Sequence, residues 1–123
     1  MEIYFTRDHE WIKLEGNTGI VGITAYAAHQ LGDITYVELP KEGKEFKKGD
    51  VLCTIESVKA ASDVFTPMSG KVIEVNNSLI SSPQIVNEKP ESDGWIAKME
   101  LSDLSEKNSL MDQKAYDEFL KTL

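Results

Sequence analysis

Hydrophobic and β-branched residues fall in short runs separated by glycine, proline and polar clusters along most of this chain, a pattern that predicts strands and turns. Trp11 to Glu15 and Thr18 to Ile23 flank Gly16-Asn17, two residues that tolerate positive φ, so an early β-hairpin is expected. Thr24 is placed to cap a helical turn over Ala25 to Leu31, whose alanines favour helix, and Gly32 supplies the stop. Ile34 to Leu39 then reads as a strand that ends at Pro40, with Lys41 to Lys44 as a polar loop.

Further on, Val51 to Ile55 is apolar and Val64-Phe65-Thr66 runs into the breaker Pro67. Glu56-Ser57-Val58-Lys59-Ala60-Ala61-Ser62-Asp63 therefore joins two strands through a tight tip. Lys47 to Asp50 turns the chain into this hairpin, and Met68-Ser69-Gly70 turns it out into Lys71 to Asn76. The similar spacing of Gly49 and Gly70 about Lys59 suggests a two-sided β arrangement with Lys59 near its pseudo-symmetry axis. Ser82-Pro83 predicts a short helical turn over Gln84 to Asn87, with Ser82 as cap and Pro83 first. Trp95 to Leu101 predicts a last strand with Trp95, Ala97, Met99 and Leu101 on one face. Asp112 can cap a terminal helix whose Ala115, Tyr116, Phe119, Leu120 and Leu123 form a stripe expected to pack on the rest of the fold.

The length, 123 residues, predicts one domain over 1–123, and 41% hydrophobic with 28% charged residues is an ordinary globular balance. A formal charge of −8 argues against nucleic acid and anionic membranes and favours basic partner surfaces. No apolar run of about 18 residues and no signal-like start are present, so a cytoplasmic protein is expected. The lone Cys53 excludes an internal disulfide, and by its alternation with Val51 and Ile55 it reads as a small hydrophobe on one strand face. His9 and His29 share no metal-binding spacing, and no phosphate loop or nucleophile motif is found; neither a metal site nor an enzyme activity is expected. His9 reads as a polar residue beside a hairpin.

Lys59 stands among small residues with no large side chain beside it to bury its ammonium. An exposed ammonium is a poor nucleophile, which argues against Schiff-base or general-base chemistry and for a lysine offered to an acylating enzyme. The plain alternative is a solubilising surface lysine.

Nearly end to end, the chain resembles the H proteins of the glycine cleavage system. The likeness is carried by Tyr4, His9-Glu10-Trp11, Val21-Gly22-Ile23-Thr24, Gln30-Leu31-Gly32-Asp33, Val37-Glu38-Leu39-Pro40, Lys48-Gly49-Asp50, the octapeptide around Lys59, Pro67, Ser69-Gly70, Val75-Asn76, Ser82-Pro83, Val86-Asn87 and Gly94-Trp95. Ala25, Ala27-Ala28 and His29 depart from the usual pattern, which bears on partner docking.

The resemblance implies a mainly β barrel-sandwich hybrid, like lipoyl and biotinyl domains, with short helices and a C-terminal α-helix. It implies covalent lipoate on Lys59 at a hairpin tip, recognition by a lipoate ligase or lipoyltransferase aided by Glu56, and a turn positioned by Gly70. It further implies a shuttle for the aminomethyl group of glycine between a pyridoxal-phosphate glycine decarboxylase, a folate-dependent aminomethyltransferase and a dihydrolipoyl dehydrogenase. A biotin carrier would place methionines where Val58 and Ala60 stand, and a lipoyl domain of a 2-oxoacid dehydrogenase would lack the terminal helix. A relay that donates lipoyl groups to other proteins, and an unmodified acidic binding module, are the remaining alternatives.

Overall fold

The computed structural model describes residues 2–123. In chain order the elements are β1 (Glu2–Phe5), β2 (Glu10–Glu15), β3 (Thr18–Ile23), α1 (Ala25–Leu31), β4 (Ile34–Glu38), β5 (Glu45–Phe46), β6 (Val51–Ser57), β7 (Ala61–Phe65), β8 (Gly70–Val75), α2 (Ser78–Ser81), α3 (Ile85–Glu88), β9 (Ala97–Leu101) and α4 (Gln113–Leu120). A 3₁₀ turn over Leu104–Ser109 precedes α4.

All strand pairs are antiparallel, in one six-stranded sheet ordered β1-β2-β3-β9-β8-β5 and one three-stranded sheet ordered β4-β6-β7. Their inner faces share one core, in which Ile12, Val21, Val72 and Met99 from the large sheet meet Val37 and Ile55 from the small one. This is a barrel-sandwich hybrid built from strands that alternate inward and outward residues.

Local chemistry sets the expected elements. Glu15 pairs with Thr18 across Gly16-Asn17, closing the β2–β3 hairpin. Thr24 Oγ1 accepts the Ala27 N–H at 3.3 Å and starts α1; Asp112 Oδ1 accepts the Ala115 N–H at 2.8 Å and starts α4. The α4 stripe packs through Tyr116, Phe119 and Leu120 on a second small core with Phe5 and Trp11.

Four features differ from the sequence reading. β1 and β5 were not visible as strands, because four and two residues are too few to show a period; β1 is held by pairing with β2. Leu123 lies beyond α4 and is exposed, so the packed stripe stops at Leu120. Ser82 does not cap a following helix: its N–H bonds Ser78 O and ends α2, and α3 begins at Ile85. Finally, the register shifts between Val51 and Cys53, so Leu52 and Cys53 are both buried while Val51 is exposed. A bulge of this kind breaks the alternation that placed Val51 and Cys53 on one face.

Candidate functional site

The β6–β7 hairpin closes on Glu56 paired with Ala61. Above that rung, the Ser57 N–H donates to Ala60 O at 2.7 Å, and Ser57 Oγ both donates to Ala60 O and accepts the Ala60 N–H, each at 3.1 Å. A hydroxyl at the first position thus replaces the bonds a longer turn would lose to water. Lys59 sits on this tip with an exposed side chain and, among the described residues, in no ion pair.

The tip is also tied sideways. The Val58 N–H donates to Asp33 O at 3.0 Å, joining the hairpin to the loop after α1. Asn87 staples that loop from below: its Nδ2 donates to Gly32 O at 2.8 Å and its Oδ1 accepts the Ile34 N–H at 2.9 Å. The lysine side chain lies over the end of α1, where a Cβ on Gly32 would come within 3.2 Å of Lys59 Cε.

Glu56 and Gly70 are placed very differently. Glu56 is exposed on β6 between Tyr36 and Ala61, three residues from the lysine. Gly70 opens β8 between Phe46 and Leu101, past the base of the hairpin; a Cβ there would stand 2.5 Å from the Glu100 carbonyl oxygen. That close approach of backbones requires glycine whatever else the residue does. A surface cleft of about 850 Å³ lies at this same base, lined by both lysines and carboxylates.

Beside the hairpin, between β7 and α1, lies a smaller cleft of about 170 Å³ whose lining includes Asp8, His9, Glu10, Tyr26, Leu31 and Asp63. Glu10 is buried; its Oε1 accepts the Thr6 hydroxyl at 2.5 Å and its Oε2 accepts the Phe65 N–H at 3.1 Å, on the open edge of β7. Burial outweighs those bonds and pushes its carboxyl up to about 7. His9 has φ 67°, and its Nδ1 lies 2.8 Å from the Tyr116 hydroxyl; burial holds its pKa below the ordinary value against the pull of Asp8.

Sequence reasoning passed over Glu10 as chemistry and read His9 as a polar bystander. One signal was present for Glu10: it alternates with Ile12 and Leu14, so its side chain shares their inward face. Cys53 has its thiol pushed up to about 12, chiefly by burial, and is inert as a nucleophile. Among the described residues no group of three metal-ligating side chains comes together, and no helix is long and apolar enough to cross a membrane.

The geometry can be set beside known proteins. The family model for the glycine cleavage H-protein matches residues 3–123. A glycine cleavage system H protein of Caulobacter vibrioides is 56% identical over 119 residues, covering 97% of this chain and 98% of the relative. One from Thermotoga maritima is 51% identical over 115 residues, covering 94% and 93%. The crystal structure of a glycine cleavage system H protein from Mycobacterium marinum superposes with a TM-score of 0.89 at 29% identity, covering 98% of this chain and 97% of that one.

Proposed function

Since the chain belongs to the glycine cleavage H-protein family, we propose that Lys59 carries its lipoyl group and that this arm serves the decarboxylase, the aminomethyltransferase and dihydrolipoyl dehydrogenase in turn. The chain is a carrier in glycine cleavage. The observation that supports Lys59 is its place on a hydroxyl-closed hairpin tip, exposed and free of ion pairs among the described residues, between Val58 and Ala60. A lipoyl amide at that nitrogen supplies a disulfide that can open to take up the aminomethyl group.

The chain's own residues do the positioning. The Glu56–Ala61 rung and the Val58 to Asp33 bond fix where the tip stands, so the free length of the arm, and not the protein backbone, sets the range of delivery. Glu56 is offered to the lipoate ligase or lipoyltransferase from the same tip. Gly70 contributes by setting the base of the fold beyond the hairpin. Glu56, Glu38 and Tyr36 all lie on the outer face of the small sheet, since Tyr36 pairs with Glu56 and Glu38 with Thr54; that acidic face suits a basic partner.

The cleft beside β7 is the shelter for a loaded arm. Ser62 and Asp63 are three and four residues along β7 from Lys59, roughly 10–13 Å at strand spacing, within reach of an extended lysyl-lipoyl arm. Asp8, Asp63 and Glu10 offer carboxylates to a cationic cargo, while Ile23, Tyr26 and Leu31 exclude water.

The test is intact and peptide mass spectrometry of the chain incubated with lipoate, ATP and a ligase active on a control protein. A lipoyl group on Lys59, absent from a folded Lys59→Arg variant, is expected. Lysine modification elsewhere, or none, refutes the assignment.

A further inference from the structure

We propose that the C-terminal helix governs the cleft beside Lys59 through Tyr116, a positioning residue that fixes His9 as a neutral imidazole protonated on Nδ1, with Nε2 left as an acceptor for the cargo. The proposal rests on the reading of that cleft as the shelter of the loaded arm.

His9 is the one non-glycine residue with positive φ among the described residues, at 67°. That conformation is disfavoured for a residue with a side chain and persists only where the surroundings over-determine it. Here they do. The His9 N–H donates to Thr6 O at 3.2 Å, its carbonyl accepts the Thr24 N–H at 2.9 Å, and its ring lies 4.4 Å from that of Tyr26.

The tautomer follows from the next bond. The buried Tyr116 hydroxyl lies 2.8 Å from Thr24 Oγ1, and in the proposed arrangement it donates its only proton there. Its oxygen, 2.8 Å from His9 Nδ1, can then only accept, so Nδ1 carries the hydrogen. Nε2 has no hydrogen-bond partner among the described residues, and the ring lines the cleft with Asp8, Glu10 and Asp63.

An ammonium cargo brings three donors, and the cleft carboxylates take some of them. A neutral imidazole can take another without adding a positive charge that would oppose the cargo. Burial keeps His9 neutral by lowering its pKa. The charged and titratable groups packed about it are Asp8 in its own turn, Glu10 on β2, Asp63 on β7, Tyr26 on α1 and Tyr116 on α4, with Arg7 over Phe119 nearby.

The helix that controls this is remote in sequence: Tyr116 is 107 residues from His9. Phe5 stacks on the Tyr116 ring at 4.4 Å and holds the phenol in place, so Tyr116→Phe removes the hydroxyl while keeping the packing.

The experiment uses the lipoylated chain, loaded with the aminomethyl group and checked by mass. Nitrogen-15 NMR of His9 reads the tautomer and the titration midpoint. A second assay follows hydrolytic loss of the cargo, which consumes one water, leaves the thiol and releases formaldehyde and ammonium. In the wild type the Nδ1–H tautomer is expected. In Tyr116→Phe the Nε2–H share should rise and the midpoint should fall, because an acceptor for the imidazolium is lost, and cargo loss should quicken about 10-fold, the equivalent of one hydrogen bond. His9→Asn, which tolerates the same backbone, should quicken loss similarly with an unchanged near-ultraviolet spectrum. A wild type protonated on Nε2, or loss rates unchanged in both variants, overturns the proposal. Failure to find lipoate on Lys59 refutes the carrier reading beneath it, and the mass spectrum shows that before the titration begins.

Discussion

Lys59 lies directly over Gly32: a Cβ at Gly32 would meet Lys59 Cε at 3.2 Å, and Gly32 itself has φ 75°. The lysine tip is therefore shaped by a helix stop 27 positions upstream, not by its own hairpin alone. Gly32→Val is expected to lower stability by about 1 kcal/mol or more through backbone strain and to slow lipoylation by crowding the lysine. Gly43→Val, equally left-handed at φ 86° with nothing within 4 Å, is the control. It should share the thermal shift and leave the ligase rate unchanged.

Glu56 is exposed and its side chain makes no hydrogen bond or ion pair among the described residues, so Glu56→Ala should melt within about 0.5 kcal/mol of wild type. The rate of lipoylation should nevertheless fall severalfold. Ligase kinetics at matched protein concentration check this, and an unchanged rate would remove Glu56 from recognition.

At Gly70 the expectation is the reverse. A Cβ placed 2.5 Å from the Glu100 carbonyl forces β8 from β9, so Gly70→Ala should destabilise by about 2 kcal/mol or more. Lipoylation should drop only in proportion to the folded fraction measured by circular dichroism. A slower rate on fully folded protein would mean that an enzyme reads this position directly.

Glu10 gives the fold an acid-favouring slope. Its carboxyl is raised from 4.5 to about 7, so between those pH values the folded state holds a proton the unfolded chain has lost. Stability contributed by this group is full below pH about 4.5 and declines as pH rises to about 7, by roughly 3 kcal/mol in all. Glu10→Gln should flatten that part of the pH profile in denaturant titrations.

Cys53 should resist alkylation in the folded protein, because its thiol is buried and pushed up to about 12. Labelling with a neutral thiol reagent at pH 8 should follow the rate of opening, and denaturant should make it fast. Rapid labelling without denaturant would contradict the buried placement.

What the sequence determined by itself is local. Gly16-Asn17 between alternating runs, Thr24 and Asp112 as caps, Gly32 as a stop and the small residues around Lys59 act on their immediate neighbours, and each stands where the pattern placed it. The barrel-sandwich architecture and the proposal of Lys59 as the attachment point came from resemblance to a family, since periodicity cannot say which sheets face each other. Tertiary structure alone decided the bulge at Val51–Cys53, the raised carboxyl of Glu10, the contact of Gly32 with Lys59 and the bond between His9 and Tyr116. All four depend on groups apart in the sequence meeting, and for Glu10 and Tyr116 that meeting is closed to water. Desolvation and distance, which set a pKa or a tautomer, are properties of that meeting and of no single stretch of residues.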